Sequence, residues 1–232
     1  MNVPLAAARA VAALAVLLAG IAKRTRTRRT VEADVEAGTA VEVRHSLGKV
    51  TVTGADTTRV TATARIVAAD QNIARLVRLE LRPEGNAVHV HVQVPRDGDH
   101  YPRHLSIALD VIVPRSTSVR VKLGMGEIAV RDVGSVEASA RMGKLSLRGI
   151  SGAVLSRLGM GQTSVELPDS WHGGQVDVRS RMGNVLLRVP SELRARYDVT
   201  ASKGTVRAPA SDPEGAPISV KATLGNVHVS AN

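Results

Sequence analysis

Histidine and aspartate side chains gathered between residues 89 and 104 have the clearest metal-ligating chemistry of the chain. A His-x-His pair on a strand places both rings on one face, and imidazole with carboxylate is a ligand set that zinc accepts. Alternation in a half-exposed strand also places polar residues outward without any metal, and we favour this interpretation. We therefore expect no bound metal and no cofactor at these residues, which are His89, His91, Asp97, Asp99, His100 and His104.

A second candidate contact is the loop PDSWHGGQ (168–175), a long connection between strand-like segments. Loops carry a large share of binding residues, and Trp171 and His172 make this one the best place for a ligand contact. The same pattern suits a surface turn whose aromatic ring packs over the edge of the fold, and we prefer that interpretation.

The composition argues against catalysis. No cysteine is present, which excludes a disulfide, a thiolate metal site and a cysteine nucleophile. Sites that cleave carbohydrate usually combine paired carboxylates with aromatic side chains. Here the acidic residues are scattered, and Tyr101, Trp171 and Tyr197 are the only aromatics. We expect no enzyme activity, and a β-helix enzyme acting on envelope polysaccharide is a distant third hypothesis.

The net charge of +10 does not indicate nucleic-acid binding. Residues 1–30 hold six Lys and Arg and no acid, whereas the remaining residues hold 25 basic against 21 acidic side chains. Stacking aromatics and a known binding motif are both missing. The excess charge lies at the N-terminus, and we expect no nucleic acid partner.

One short phrase with a central glycine recurs through the chain. Its apolar residues alternate on both sides of the glycine, which is strand periodicity, and the glycine predicts a corner between two strands. From Gly126 onward the glycines are 17, 18, 22, 21 and 21 residues apart. A period near twenty residues is typical of a solenoid in which each unit stacks on the last. The copies are 41–52, 119–130, 136–147, 154–165, 176–187, 197–208 and 218–229.

Stacked copies place equivalent residues in columns. The positions seven before and four after the glycine are apolar and predicted to face inward. The positions four and six before it carry bases and acids side by side, which predicts a compensated, solvated face. Four of the five methionines stand immediately before the glycine. We interpret them as flexible filler for a tapered core and favour this over a soft copper(I) site. This column reads Leu47, Met125, Met142, Met160, Met182, Lys203 and Leu224.

Residues 1–30 predict a short hydrophobic helix directed to the membrane. The apolar run 10–22 has 13 residues, the length of a signal-peptide core and less than the roughly 20 residues that span a bilayer. A cleaved signal, an uncleaved anchor that includes Arg9, and a membrane-touching tail all stay open. The basic residues behind the run favour a cytoplasmic position for its end and are candidate lipid contacts: Lys23, Arg24, Arg26, Arg28 and Arg29.

The remaining chain divides into three parts. Residues 31–40 are expected to be a polar linker, 41–113 a strand-rich cap, and 114–232 the β-solenoid repeats. Within the cap, residues 70–77 predict a single helical turn. The sequence offers no comparable cap at the C-terminus, so VHVSAN (227–232) is expected to be a bare edge open to self-association.

The corner glycine followed by apolar-x-apolar, with the step VIVPRSTSVRV (111–121), resembles the bacterial putative-adhesin family of β-strand-repeat domains of unknown function, related to auto-transporter adhesin head domains. The resemblance covers roughly residues 40–232. It implies an all-β, right-handed parallel β-solenoid, an extracytoplasmic location and an N-terminal hydrophobic segment. The family has no agreed catalytic residues, so none is transferred.

These observations favour a non-enzymatic cell-envelope protein, membrane-anchored or secreted, that displays an adhesin-like β-solenoid outside the cytoplasmic membrane. Its expected partners are membrane lipid at the N-terminus and an unidentified macromolecule. The alternative is a cytoplasmic bactofilin-like scaffold that is tethered to the membrane and polymerises end to end.

Overall fold

In the computed structural model, residues 24–36, 38–94, 102, 104–171 and 173–232 are described. This part of the chain forms fifteen strands and one short helix. The first elements are β1 (Thr25–Asp34), β2 (Ala40–Ala55), β3 (Arg59–Ala68), α1 (Gln71–Leu76), β4 (Arg78–Glu84), β5 (Ala87–Gln93) and β6 (Ser106–Pro114). The others are β7 (Ser118–Arg131), β8 (Ser135–Arg148), β9 (Val154–Glu166), β10 (Val176–Met182), β11 (Val185–Val189), β12 (Ala195–Lys203), β13 (Val206–Arg207), β14 (Ala216–Leu224) and β15 (Val227–Ala231).

The repeat copies pair side by side in parallel, with their glycines in register. Gly126 is paired with Gly48 on one side and Gly143 on the other, and Gly143 is paired with Gly161. A Cβ atom on Gly143 would lie 1.7 Å from the Gly126 carbonyl oxygen, and its φ is +135°. Both the close approach and the positive φ require glycine, as the repeat predicted. The chain divides into two strands at Gly183, Gly204 and Gly225, whereas β2, β7, β8 and β9 continue through their glycines. We call the glycine position of every copy the corner.

The spatial order of the copies differs from their order in the chain. Strand β14 lies between β10 and β12, so the copy 218–229 stacks on 176–187 and the copy 197–208 lies outermost. The expectation that each unit stacks on the last is wrong at this point. A copy inside the stack has a neighbouring copy on each side, so all of its inward side chains are buried and should be apolar. The regular copy 218–229 meets this requirement better than the looser copy 197–208.

The C-terminus is therefore not the bare edge that the sequence predicted. Strand β15 is paired with β11 on one side and β13 on the other. The Asn232 amide also donates to the Val189 carbonyl at 2.8 Å. At this end of the stack the edge strands are β12 and β13. The start of β12 is partly covered because the Asp212 amide donates to the Ala195 carbonyl at 2.9 Å.

The N-terminal part covers the opposite end of the stack. Strand β2 holds the first copy and is paired directly with β7, although a long segment separates them in sequence. Strands β5 and then β4 continue the sheet before the corner. Strands β6, β3 and β1 continue it after the corner, and β3 runs antiparallel to both β6 and β1. The sheet is therefore mixed.

Strand β1 includes the first four residues of the expected linker 31–40. Residues 31–34, assigned to linker from their polarity, continue β1 and are paired with β3. Alternate β1 residues are half-buried and exposed, a period-2 pattern that charged residues hide from a hydrophobicity search. Helix α1 follows as predicted, and the Asp70 carboxylate caps it by accepting from the Asn72 amide at 2.7 Å.

The described chain is all-β apart from α1, in an open mixed sheet. The expected N-terminal hydrophobic helix falls in residues 1–23 and lies outside the described residues. Within the described part, none of the helical structure has the length and apolar character of a membrane span. The core contains mainly Val, Leu, Ile and Ala, and both predicted inward columns are buried in the inner copies.

Candidate functional site

A groove runs along the outside of the corner, across several stacked strands. Its section nearer β2 has a volume of about 850 Å³, and its section nearer β14 about 640 Å³. The two sections share Leu123, Arg141 and Arg181 and are therefore continuous. We call the combined depression the corner groove. Its length follows from the repeat, because each copy contributes equivalent residues.

The residues before the corner glycines form an exposed apolar ladder along the corner. In spatial order the ladder reads Leu47, Met125, Met142, Met160, Met182 and Leu224, and Lys203 ends it. Six strands at the usual spacing make it about 24 Å long.

The four methionine residues of the ladder are between 37% and 49% exposed. The expectation that they fill the core is therefore wrong. The space inside the corner is occupied instead by the residues three before and two after the glycine, such as Leu158 and Leu145. The alternation of buried and exposed residues changes phase at the glycine, and this change leaves the methionine side chains on the outer surface.

The shape of the groove depends on the size of the residue that stands two positions before each corner glycine. Gly124 and Gly159 place no side chain there, whereas Arg141 and Arg181 stand between and beyond them. A Cβ atom at Gly159 would lie 2.3 Å from the Arg141 carbonyl oxygen. The close packing of neighbouring backbones therefore keeps these positions free of side chains, while the arginines rise on either side.

Basic side chains line the groove, and no carboxylate does so among the described residues. Four of its cations are paired with acids that lie outside the lining, as in the 2.7 Å contact between Arg179 Nη2 and Asp177 Oδ2. Lys221 is paired with Asp198 at 3.0 Å. These contacts confirm the predicted compensated face.

Three arginines in the groove have no acidic partner in the part of the chain that the structure describes; we call them uncompensated. Within the described chain, Arg141, Arg157 and Arg181 form neither an ion pair nor a side-chain hydrogen bond. They lie on β8, β9 and β10, at the middle of the stack. Guanidinium groups match carboxylate and phosphate in geometry, so the middle of the groove is suited to an anion.

His45 is a buried polar residue at the β2 end of the groove. It is 5% exposed, and among the described residues neither ring nitrogen has a hydrogen-bond partner of good geometry, although the backbone of Leu47 and Ile107 lies near. Burial lowers the pKa of His45 to about 4, and the charge of nearby His91 adds to the lowering. The ring is therefore neutral at physiological pH.

Glu42 holds the cations of the same end in place. Its carboxylate accepts from Arg44 at 2.9 Å, lies 3.4 Å from Lys122 Nζ, and lies 3.3 Å from His89 Nδ1. Burial acts to raise the pKa of the Glu42 carboxyl, but Arg44 and Lys122 together leave it below its ordinary value. The cluster ties β2, β5 and β7 together.

The structure describes His89, His91 and His104 of the metal hypothesis, whereas Asp97 and Asp99 lie outside the described residues. His89 and His91 share the outer face of β5, as alternation predicted, while His104 lies in a turn at a φ of +60° and His100 lies outside the described residues. Among the described residues, no three His, Asp or Glu side chains form a group that could hold a metal ion.

The Trp171 side chain is used for packing. It is 3% exposed, and Nε1 donates to the Gly152 carbonyl at 3.0 Å. This burial leaves the indole no open face for a ligand, in line with the packing interpretation of the loop. His172 lies outside the described residues.

The basic residues behind the N-terminal apolar run mostly belong to strand β1. Arg26 and Arg28 point to its exposed side, and Arg29 Nη2 donates to the Arg75 carbonyl at 3.1 Å. Arg24 is exposed just before the strand, and Lys23 lies outside the described residues. Charged residues on an edge strand also prevent unwanted strand pairing.

Sequence inspection identified the methionine column but missed the groove. The signal was present, since four methionines at one repeat position and arginines beside them can be read from the aligned copies. The prediction failed because alternation was extended up to the glycine, and the corner breaks alternation there.

Comparisons with known proteins show the fold. No family model matches the chain, and no curated protein matches it. A solved structure named a putative cell adhesion protein, from Clostridium sporogenes, is similar with a TM-score of 0.55 at 10% identity, over 90% of this chain and 100% of that one. Putative adhesins from Parabacteroides merdae and Bacteroides fragilis align with TM-scores of 0.37 and 0.32 at 9% and 12% identity. They cover 87% and 88% of this chain, and 97% of each of those chains.

Proposed function

We propose that the protein is a non-enzymatic, adhesin-like module displayed at the cell surface, and that the corner groove is its contact face. The observation that carries this proposal is the groove itself, which runs along several copies and holds three uncompensated arginines, Arg141, Arg157 and Arg181. A repeated, open and charged surface suits contact with another macromolecule. The name of the Clostridium structure suggests the same role.

We further propose that each copy forms one turn of a right-handed parallel β-solenoid, with the N-terminal strands as its cap. In-register pairing supports this, as do hydrogen bonds between successive loops, such as that from the Gly149 amide to the Glu166 carbonyl at 3.2 Å. As part of the same proposal, the chain is related to auto-transporter adhesin head domains. A crystal structure of the chain tests the handedness.

The proposed attachment is through residues 1–24, with the exposed Arg24, Arg26 and Arg28 near lipid head groups. Because β1 begins at Thr25, only a short segment separates the apolar run from the sheet. The sheet is then held close to the membrane surface, where basic side chains are attracted to anionic lipid.

Protease treatment of intact cells tests surface display. An epitope tag after Asn232 reports the far end of the chain, and an antibody to the repeat copies reports the rest. We expect both signals to be lost from intact cells. Protection of both until the membrane is lysed contradicts display. A cytoplasmic protein with the same tag controls for cell lysis.

The edge of β12 supports a second candidate function, a polymerising scaffold. Its inward residues Tyr197, Val199 and Ala201 are only partly buried, whereas Val119 and Val121 at equivalent inner positions are 1% and 0% exposed. An open strand edge with an incompletely covered core can add a second chain. This candidate predicts filaments whose mass rises with concentration in sedimentation and electron microscopy. A monomer over the whole concentration range argues against it.

A further inference from the structure

Four ladder residues and the three arginines line one groove, which calls for a ligand with two kinds of chemistry; the ladder residues are Leu47, Met125, Met142 and Met160. Exposed methionines in a continuous row present an adaptable apolar surface. Arg141 and Arg181 are one residue from ladder members Met142 and Met182 in the chain. A ligand that covers the ladder therefore meets guanidinium groups along the same line.

We propose that the corner groove binds a single-chain anionic amphiphile, with its acyl chain along the methionine ladder and its carboxylate or phosphate head at Arg141, Arg157 and Arg181. The ladder is one side chain wide and several strands long, which matches a linear hydrocarbon chain. An amphipathic helix is a poorer match, because its apolar face is at least 100° wide and is broader than a row of single side chains. The inference rests on the proposed function insofar as both use the corner groove.

The charges select the head group of the ligand. Three of the seven cations of the groove have no acidic partner among the described residues, and no described carboxylate lines the groove, so an anion is attracted and a metal cation is repelled. This repulsion opposes a copper(I) site on the thioethers. A polyanion without an apolar part would leave the exposed methionines without a partner.

The groove also sets the direction of the ligand. The section nearer β2 contains ladder residues Leu47, Met125, Met142 and Met160, and its outer cations Arg44 and Lys122 are already paired with Glu42. The section nearer β14 contains the uncompensated Arg157. The chain therefore runs toward β2, and the head lies over β8 to β10.

Titration calorimetry on the purified full chain tests the proposal. The probes, kept below their aggregation concentrations, are dodecyl phosphate, neutral dodecyl maltoside and inorganic phosphate. We expect dodecyl phosphate to bind at least tenfold more tightly than either control. Shortening the alkyl chain of the probe by two carbons is expected to weaken binding about four- to tenfold. The effect is smaller than for two fully buried CH₂ groups because the groove is open to solvent on one side.

Variants locate the binding in the groove. The Arg141→Gln, Arg157→Gln, Arg181→Gln triple variant removes the charges and is expected to lower affinity at least tenfold. Met142→Gln with Met160→Gln interrupts the ladder and is expected to weaken the same probe about tenfold. Lys144→Gln removes an exposed cation on the other side of the corner glycine and leaves affinity unchanged. Unfolding curves in urea confirm that each variant is folded.

Three results overturn the proposal: no binding of dodecyl phosphate, equal binding of inorganic phosphate, or equal binding of the maltoside. Binding that survives both groove variants also overturns it, since the site then lies elsewhere in the chain. The proposed function fails separately. A chain that binds dodecyl phosphate but is protected from protease in intact cells keeps this inference and contradicts surface display.

Discussion

Replacing His45 with leucine is expected to make the protein less sensitive to acid. The ring is 5% exposed, and its pKa is lowered to about 4 from an ordinary value of 6.5. Because the unfolded chain binds a proton in this range more readily than the folded one, stability falls as pH drops below about 6.5 and the loss is complete near pH 4. Leucine already occupies the equivalent position in two other copies, at Leu123 and Leu158, where it is buried.

The size of the effect follows from the shift. Each unit of difference between the folded-state and unfolded-state pKa corresponds to about 1.4 kcal/mol. The free energy of unfolding therefore falls by about 3 kcal/mol in total between neutral pH and a pH below 4. Between pH 7.5 and pH 5 the linkage relation gives a loss of about 2 kcal/mol in the wild type that the His45→Leu variant does not share. At pH 7.5 the variant is expected to be more stable by about 1 kcal/mol, since an imidazole without partners in the described chain is replaced by an apolar group.

Urea unfolding followed by fluorescence measures both quantities. Trp171 is the only tryptophan and is buried, so its emission reports the loss of the stack. Leu158→Ala, at the same repeat position but without a titratable group, should lower stability by the same amount at every pH. If the wild type and His45→Leu curves stay parallel from pH 7.5 to pH 5, the reasoning about His45 is refuted.

Three further substitutions test other parts of the structure by the same assay. Gly143→Ala forces a Cβ atom against the Gly126 carbonyl at 1.7 Å, so we expect a loss of about 3 kcal/mol or more; a loss under about 1 kcal/mol would contradict the tight corner. Trp171→Phe removes a hydrogen bond and part of a buried ring and should cost about 1–3 kcal/mol, whereas an unchanged midpoint would place the indole outside the core. Glu42→Gln leaves Arg44 without its charged partner and should cost about 1–2 kcal/mol at pH 7. Since the pKa of the Glu42 carboxyl is lowered, this stabilisation is present above about pH 4.5 and is lost below the folded-state pKa, so a difference that persists in strong acid is the contrary result.

Much of the fold could be predicted because the repeat has a short period. The corner glycine, the inward columns and the alternating charges all follow from residues that are adjacent or two apart, and they are confirmed by the register and the ion pairs. Strand β1 was missed because its arginines mask the alternation of a half-exposed strand. The groove was missed because its exposed methionines look, in a sequence, like core residues.

The sequence by itself determined which residues are equivalent. In a parallel stack of repeats, backbone pairing brings the same position of each copy side by side. Only the tertiary structure decided which copies are neighbours. By placing Leu224 beside Met182 and sending Lys203 to the edge, it makes the apolar ladder continuous where the chain order would interrupt it. The physical reason is burial: a copy with two neighbours must be apolar along its whole inner face, while the edge tolerates the polar copy 197–208. Such a choice depends on competition between distant segments for the same position, which no local pattern records.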